Sequence, residues 1–107
     1  MQCTQMSQMI IGEPLTDHYV KEIVSAMQDH VRNIPELIGH SILVEEAGRM
    51  VILITDWSNR QHCLQHHASR AYRQFVAATQ HMLAGSYVVK VFQHQTERRS
   101  VYEPRNT

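Results

Sequence analysis

The sequence has little cysteine, glycine and proline, and it has no long hydrophobic run. Its two cysteines, Cys3 and Cys63, lie far apart and lack CxxC spacing. This argues against a disulfide framework or a thiolate zinc site and favours two free thiols. No apolar run approaches the roughly 20 residues that cross a bilayer, and the first residues lack the basic start and apolar stretch of a signal peptide. We therefore expect a cytoplasmic protein that makes no membrane contact.

An excess of charge of one sign is also missing. Ten basic and ten acidic side chains give a formal net charge of +0 at pH 7, so no overall positive field collects phosphates. Nucleic acid is therefore not expected as a partner. Apolar residues make up 43% and charged residues 19% of the 107 residues, which is typical of a folded domain. A domain this small has a thin core, and a partner subunit would enlarge it.

Apolar periodicity predicts six secondary-structure elements. Residues 3–11, 37–45, 50–55 and 87–94 have the apolar pattern of strands. Two amphipathic helices lie between them. Thr16 or Asp17 is expected to cap the first helix, and Ser58 with Gln61 resembles a capping box that opens a second, longer helix ending near Gly85. The expected buried stripes are Val20, Ile23, Val24, Met27, Val31 and Ile34 in the first helix, and Leu64, Ala68, Ala71, Phe75, Ala78 and Met82 in the second.

The order β-α-β-β-α-β predicts a ferredoxin-like α+β domain. Its four-stranded antiparallel sheet should carry both helices on one face and leave an apolar face uncovered. A second copy can bury such a face by two-fold symmetry, so we expect a homodimer. The domain is predicted to cover residues 1–95, and residues 96–107 form a polar C-terminal tail.

Three segments resemble the antibiotic biosynthesis monooxygenase family. They are Ile34-Pro-Glu-Leu-Ile-Gly39, Thr55-Asp-Trp-Ser-Asn-Arg-Gln61 and Ser69-x-x-Tyr72-x-x-Phe75, and the resemblance extends over residues 3–95. It implies a dimeric α/β barrel, in which two sheets pack face to face and each subunit has a ligand cavity between sheet and helices. Characterised members of the family include cofactor-free oxygenases of anthrone-like or quinol-like aromatics and haem-degrading enzymes.

The resemblance also assigns individual positions. Trp57 matches a tryptophan that lies near the substrate in the aromatic-oxidising members, and Leu53 stands where those members carry an asparagine. The haem-degrading branch needs an asparagine on the first strand, and residues 3–11 contain none. Haem cleavage is therefore disfavoured, and no cofactor is expected.

A cofactor-free oxygenase has to bind an electron-rich ring, remove a proton from it and exclude water. Histidine, with an ordinary pKa of about 6.5, is a suitable base. The candidate catalytic residues are His40, His66 and His67. The candidate residues for binding the aromatic substrate are Trp57, Tyr72, Phe75 and Leu53. Ordinary packing stays open for Phe75, which fits the buried stripe, and for Trp57, which lies at an element junction.

The remaining histidines support weaker hypotheses. His62 and His66 lie four residues apart on a helix, a spacing that can hold a divalent metal. There is no HExxH motif and no evident third ligand, so no metal is predicted. His18, His30 and His81 are expected on helix surfaces without partners.

Two functions remain open after this sequence analysis. One is a cofactor-independent monooxygenase acting on a quinol- or anthrone-like aromatic molecule. The other is a non-catalytic dimeric barrel that binds a small hydrophobic ligand. Trp57 and the neighbouring histidines favour the first, and Leu53 favours the second.

Overall fold

The computed structural model describes residues 2–95. Its order of elements is the predicted one, with the second helix divided in two. The predicted tail, residues 96–107, lies outside the described residues. The strands are β1 (Cys3–Ile10), β2 (Leu37–Val44), β3 (Met50–Trp57) and β4 (Val88–Gln93), and the helices are α1 (Thr16–Arg32), α2 (Arg60–His67) and α3 (Arg70–Thr79), the last followed by a 3₁₀ turn at Gln80–Met82.

The four strands form one antiparallel sheet in the order β2-β3-β1-β4. In the central strands β1 and β3, every second side chain is buried. The hairpin between β2 and β3 turns at Gly48, whose φ of 73° is a conformation that glycine adopts without steric cost. The ferredoxin-like α+β prediction is thereby confirmed.

The predicted apolar stripe of α1 is confirmed at Ile23, Met27 and Val31, which are buried, whereas Ile34 follows the end of the helix at Arg32. The predicted cap is wrong. Leu15 is the N-cap residue and makes no side-chain cap hydrogen bond. The hydroxyl of Thr16 instead donates to the carbonyl oxygen of Gly12 at 2.9 Å, because a short hydroxyl side chain can bond locally to preceding backbone.

The second helix begins and ends differently from the prediction. Asn59, and not Ser58, is the N-cap of α2, and its Oδ1 accepts from the backbone N–H of His62 at 2.9 Å. The helix ends at His67, and Ser69 caps a new helix by accepting from the N–H of Tyr72 at 3.1 Å. The predicted long helix is divided because this serine oxygen satisfies an amide that an unbroken helix would pair with backbone.

The division also changes which residues are buried. Tyr72, Phe75 and Thr79 are the buried residues of α3, and Cys63 is the buried residue of α2. The predicted stripe is therefore wrong at Leu64, Ala68, Ala71 and Ala78, which are exposed. An interruption between the two helices shifts the 3.6-residue period, so a single stripe cannot describe both.

The sheet face opposite the helices carries many apolar side chains beside a few polar ones, and no other element of residues 2–95 covers it. Four of its side chains are roughly half exposed: Ile10, Leu43, Val88 and Phe92. The pairing register places Met6, Met50, Ile52 and Ile54 on the same face. No helix among residues 2–95 is long and apolar enough to span a membrane.

Candidate functional site

The strand-to-helix junction places Trp57 at the centre of a small cluster at one end of the sheet. Trp57 has none of its surface exposed and packs with buried Cys3 and Cys63. Its indole N–H donates to the hydroxyl of Thr55 at 2.9 Å. Both the apolar surface and the polar group of this side chain are therefore satisfied inside the protein.

His66 lies over Trp57 and is surrounded by aromatic rings. The His66 ring centroid is 5.1 Å from that of Trp57, and it meets the ring of Tyr72 edge-on at 5.5 Å. On its other side lies His30 of α1, whose ring stacks on Phe75 at 4.5 Å. Two imidazoles thus lie within a group of three aromatic side chains, and α1, α2, α3 and β3 all contribute.

The two imidazoles are joined directly, with 3.0 Å between the Nε2 atoms of His30 and His66. Burial, followed by the nearby His66, lowers the pKa of His30 from 6.5 to about 4. Burial and the nearby His67 also lower the pKa of His66, and Glu36 opposes this shift. Both rings are therefore neutral at pH 7, and a neutral imidazole can accept a proton.

A cleft of about 260 Å³ adjoins His66. The segment that links α1 to β2 forms one wall, and α2 with the start of α3 forms the other. The lining residues are Asn33, Ile34, Pro35, Glu36, His62, Gln65, His66, Ser69 and Ala71. His66 is thus the histidine that connects the cleft to the buried cluster.

The three histidines predicted to be catalytic lie in different environments. His66 lines the cleft, as described. His67 is exposed and packs on the ring of Tyr72 at 4.6 Å between centroids. His40 is exposed on the edge strand β2, opposite Thr55 in the pairing register, and it does not line the cleft.

The four side chains predicted to bind a substrate ring are all buried. Trp57 and Tyr72 contact His66, as described. Phe75 contacts His30 and belongs to the main hydrophobic core. Leu53 is 5% exposed and belongs to the same core, where it contributes only apolar contacts. None of the four lines the 260 Å³ cleft.

A band of polar side chains between sheet and helices was not predicted from the sequence. Gln5, Ser7 and Thr55 are buried on the helix side of β1 and β3. The thiol of Cys63 donates to Oε1 of Gln5 at 3.1 Å. Burial raises the pKa of Tyr72, as does nearby Tyr87, while a hydrogen bond with Ser7 opposes the shift. The alternation of Cys3, Gln5, Ser7 and Met9 along β1 is the signal that would have indicated this band.

The prediction that His30 lies on the helix surface without a partner is wrong, because His30 is half buried and contacts His66. Its position was nevertheless encoded in the spacing of the helix. His30 lies three residues after Met27 and seven after Ile23, so it falls on the buried face of α1.

The two histidines of the metal hypothesis have separate partners. His62 Nδ1 lies 3.1 Å from the hydroxyl of Ser58, while His66 is bonded to His30. Within residues 2–95, no group of three or more histidine, cysteine or carboxylate side chains converges as a metal site.

Known structures share the fold of this chain at low sequence identity. Rv0793 from Mycobacterium tuberculosis is 15% identical with a TM-score of 0.76, over 92% of this chain and 100% of that one. SnoaB, a cofactor-independent oxygenase from Streptomyces nogalater, is 13% identical with a TM-score of 0.72, over 95% and 98% of the two chains. A dimeric ferredoxin-like protein of unknown function from Thermobifida fusca is 17% identical with a TM-score of 0.71, over 86% and 90%. At these identities the likeness shows the fold.

The sequence comparisons identify the family. No curated protein matches the chain. The sequence model of the antibiotic biosynthesis monooxygenase family matches residues 12–78, which include α1, β2, β3, α2 and most of α3. This segment carries both histidines of the pair, Trp57 and the whole lining of the cleft. The chain therefore belongs to the antibiotic biosynthesis monooxygenase family.

Proposed function

We propose that the protein is a cofactor-independent monooxygenase acting on a quinol- or anthrone-like aromatic molecule. The observation that carries this proposal is His66, a neutral imidazole that lines the cleft and lies over the ring of Trp57. An imidazole that is neutral at pH 7 has a lone pair free to accept a proton, and its position among aromatic rings suits a substrate with an acidic ring carbon or hydroxyl.

The chemistry needs only substrate and dioxygen. His66 accepts the proton, and the resulting electron-rich anion supplies electrons to O₂. For an anthrone, the CH₂ group becomes C=O, one oxygen atom enters the product, and the other leaves as water with two hydrogens. The protein contributes the base and a site that restricts water, and the substrate itself is the reductant. SnoaB, which has the same fold, is described as a cofactor-independent oxygenase.

Oxygen uptake with a panel of anthrones and naphthohydroquinones tests this function. Saturable uptake that falls by roughly 10²-fold or more in His66→Gln is expected, since general-base catalysis contributes about 10²–10⁴. His18→Gln is the matched control, because His18 is an exposed histidine of α1 outside the cleft. Uptake equal to buffer across the panel would reject the oxygenase, and equal saturable uptake by wild type and His66→Gln would reject His66 as its base.

A non-catalytic barrel that binds a small hydrophobic ligand is the second candidate. Leu53 favours it, because this core side chain offers no hydrogen bond where the family resemblance implies an asparagine. Trp57 is the only tryptophan of the chain, so its fluorescence reports on the neighbourhood of the cleft. Saturable quenching of that fluorescence without oxygen uptake would favour the binding protein over the enzyme.

We also propose that the protein acts as a homodimer closed through the uncovered sheet face. An apolar face of this kind, in a small domain, is stabilised by a second copy. Leu43→Lys and Phe92→Lys place charges on that face and should shift the mass measured by light scattering from dimer to monomer. Leu64→Lys is the matched control, since Leu64 is 45% exposed on α2. A monomeric wild type at micromolar concentration would contradict this assembly.

A further inference from the structure

The geometry of the imidazole pair limits its protonation. The Nε2 atoms of His30 and His66 are 3.0 Å apart. At this distance one nitrogen carries a hydrogen and the other accepts it with its lone pair. If both Nε2 atoms carried a hydrogen, the two hydrogens would point at each other. The neutral pair can therefore take up one additional proton, but it cannot take up a second.

The surroundings of the two rings determine where that proton resides. His30 stacks on Phe75, a residue of the main core, whereas His66 lines the cleft. Burial and His66 lower the pKa of His30 to about 4, while the lowering at His66 is opposed by Glu36. The charge therefore belongs on His66, which donates to His30. The other titratable groups around the pair are Tyr72 on α3, His62 and His67 on α2, and Glu36 in the cleft.

We propose that His30 is the positioning residue of His66: its Nε2 accepts the Nε2–H of His66, and Nδ1 of His66 is left to take the substrate proton. The same hydrogen bond exists before and after proton transfer. The proton lost by the substrate joins Nδ1, the Nε2–H of His66 stays in place, and neither ring turns. An unvarying hydrogen bond preorganises the base, as a buried partner does in other general-base sites. The catalytic consequence rests on the proposed function, but the tautomer of His66 does not.

Imidazole nitrogen NMR of histidine-labelled wild-type protein tests the tautomer directly. At neutral pH, His66 is expected to carry its hydrogen on Nε2 and to have an unprotonated Nδ1. As the pH falls, the Nδ1 signal of His66 should titrate while His30 stays neutral. A hydrogen on Nδ1 of neutral His66, or protonation of His30 before His66, would overturn the proposal. Signals are assigned with single His→Gln variants, and His18→Gln should leave the tautomer of His66 unchanged.

Two substitutions separate hydrogen bonding from packing. His30→Gln retains an oxygen that can accept from His66 Nε2–H, so the Nε2–H tautomer should persist. His30→Leu retains apolar volume and removes the acceptor, so His66 should become a mixture of tautomers. An unchanged tautomer in His30→Leu would reject the positioning role. If His30→Leu does not fold, the wild-type tautomer and its titration decide the question alone.

Kinetics test the catalytic consequence separately. Once a substrate that the protein oxidises is known, its turnover can be compared between variants. His30→Leu should lower kcat by about ten- to a hundredfold with little change in KM, and His30→Gln should recover part of this loss. Equal kcat in wild type and His30→Leu would overturn the catalytic consequence. If the wild type oxidises no substrate but His66 has the expected tautomer, the proposed function fails and the positioning assignment stands.

Discussion

The hydrogen bond between Trp57 and Thr55 orients the indole ring that packs against His66. A double-mutant cycle can measure the energy of this hydrogen bond. Trp57 is fully buried, Thr55 is 4% exposed, and the donor–acceptor distance is 2.9 Å. Thr55→Val removes the acceptor at nearly constant volume and leaves a buried indole N–H without a partner. This should cost about 1–3 kcal/mol of unfolding free energy.

The second single variant and the double variant complete the cycle. Trp57→Phe removes the donor together with part of the ring and should cost about 2 kcal/mol. In the double variant no indole N–H remains for residue 55 to satisfy. Its cost should therefore be smaller than the sum of the two single costs by about 1–2 kcal/mol.

Urea unfolding at a fixed protein concentration is the assay, because the proposed homodimer would make apparent stability depend on concentration. Thr79→Val combined with Trp57→Phe is the matched control. Thr79 is also fully buried, but its hydroxyl donates to the carbonyl oxygen of Phe75. That pair should be additive within about 0.5 kcal/mol. If the costs of Thr55→Val and Trp57→Phe also add within the same limit, the hydrogen bond between these two residues does not stabilise the protein.

Three further predictions concern acid stability, thiol reactivity and helix capping. The urea midpoint should fall as the pH is lowered from 6.5 toward about 4, because burial lowers the pKa of His30 and the unfolded chain then binds more protons than the folded one. His30→Gln should reduce this pH dependence. A pH profile of the midpoint that is identical in His30→Gln and wild type would contradict the prediction. Burial and the neighbouring Cys3 raise the pKa of Cys63 to about 12, so an aromatic disulfide reagent at about pH 8 should label this thiol only after unfolding, and rapid labelling of the folded protein would refute the assignment. Ser69→Ala should destabilise by about 1 kcal/mol through loss of the α3 cap, whereas Ser58→Ala should cost less than about 0.5 kcal/mol, and equal costs would refute the cap assignment.

The fold could be predicted from the sequence because local signals and the global arrangement agree. Alternation in β1, the apolar run of β3 and the stripe of α1 each indicate their element without knowledge of the others. The start of α2 and the break before α3 were harder to predict than the strands and α1, because two residues that can cap a helix are adjacent at the start of α2. The sequence predicts Ser58 as the cap and Ser69 as a helix interior position, whereas Asn59 caps α2 and Ser69 caps α3. Both errors arise where a polar side chain competes with backbone hydrogen bonding, which apolar periodicity does not report.

The site was less predictable because its parts come from distant segments. His30 and His66 are 36 residues apart and meet only when α1 and α2 pack on the same sheet. Each histidine alone looks like an ordinary polar helix residue. Spacing places His30 on the buried face of α1, but no single-sequence pattern specifies which ring it meets. The pair is thus a tertiary feature, and only the packing of two helices reveals it.

The interior contains two apolar clusters, with buried polar side chains between them. Met9 and Val51 belong to the main core at one end of β1 and β3, while Cys3 and Trp57 form the smaller cluster at the other end. Gln5, Ser7 and Thr55 lie between them.

Every buried side-chain nitrogen or oxygen among residues 2–95 has a hydrogen-bond partner, so this polar band carries no unpaired group. Apolar side chains in the same positions would extend the core, but they would offer no acceptor to the indole of Trp57 or the thiol of Cys63. The hydrogen bonds of the band fix the orientation of the rings beneath His66. We therefore expect substitutions in the main core to act chiefly on stability, and substitutions from Thr55 to His66 to act on both stability and the site.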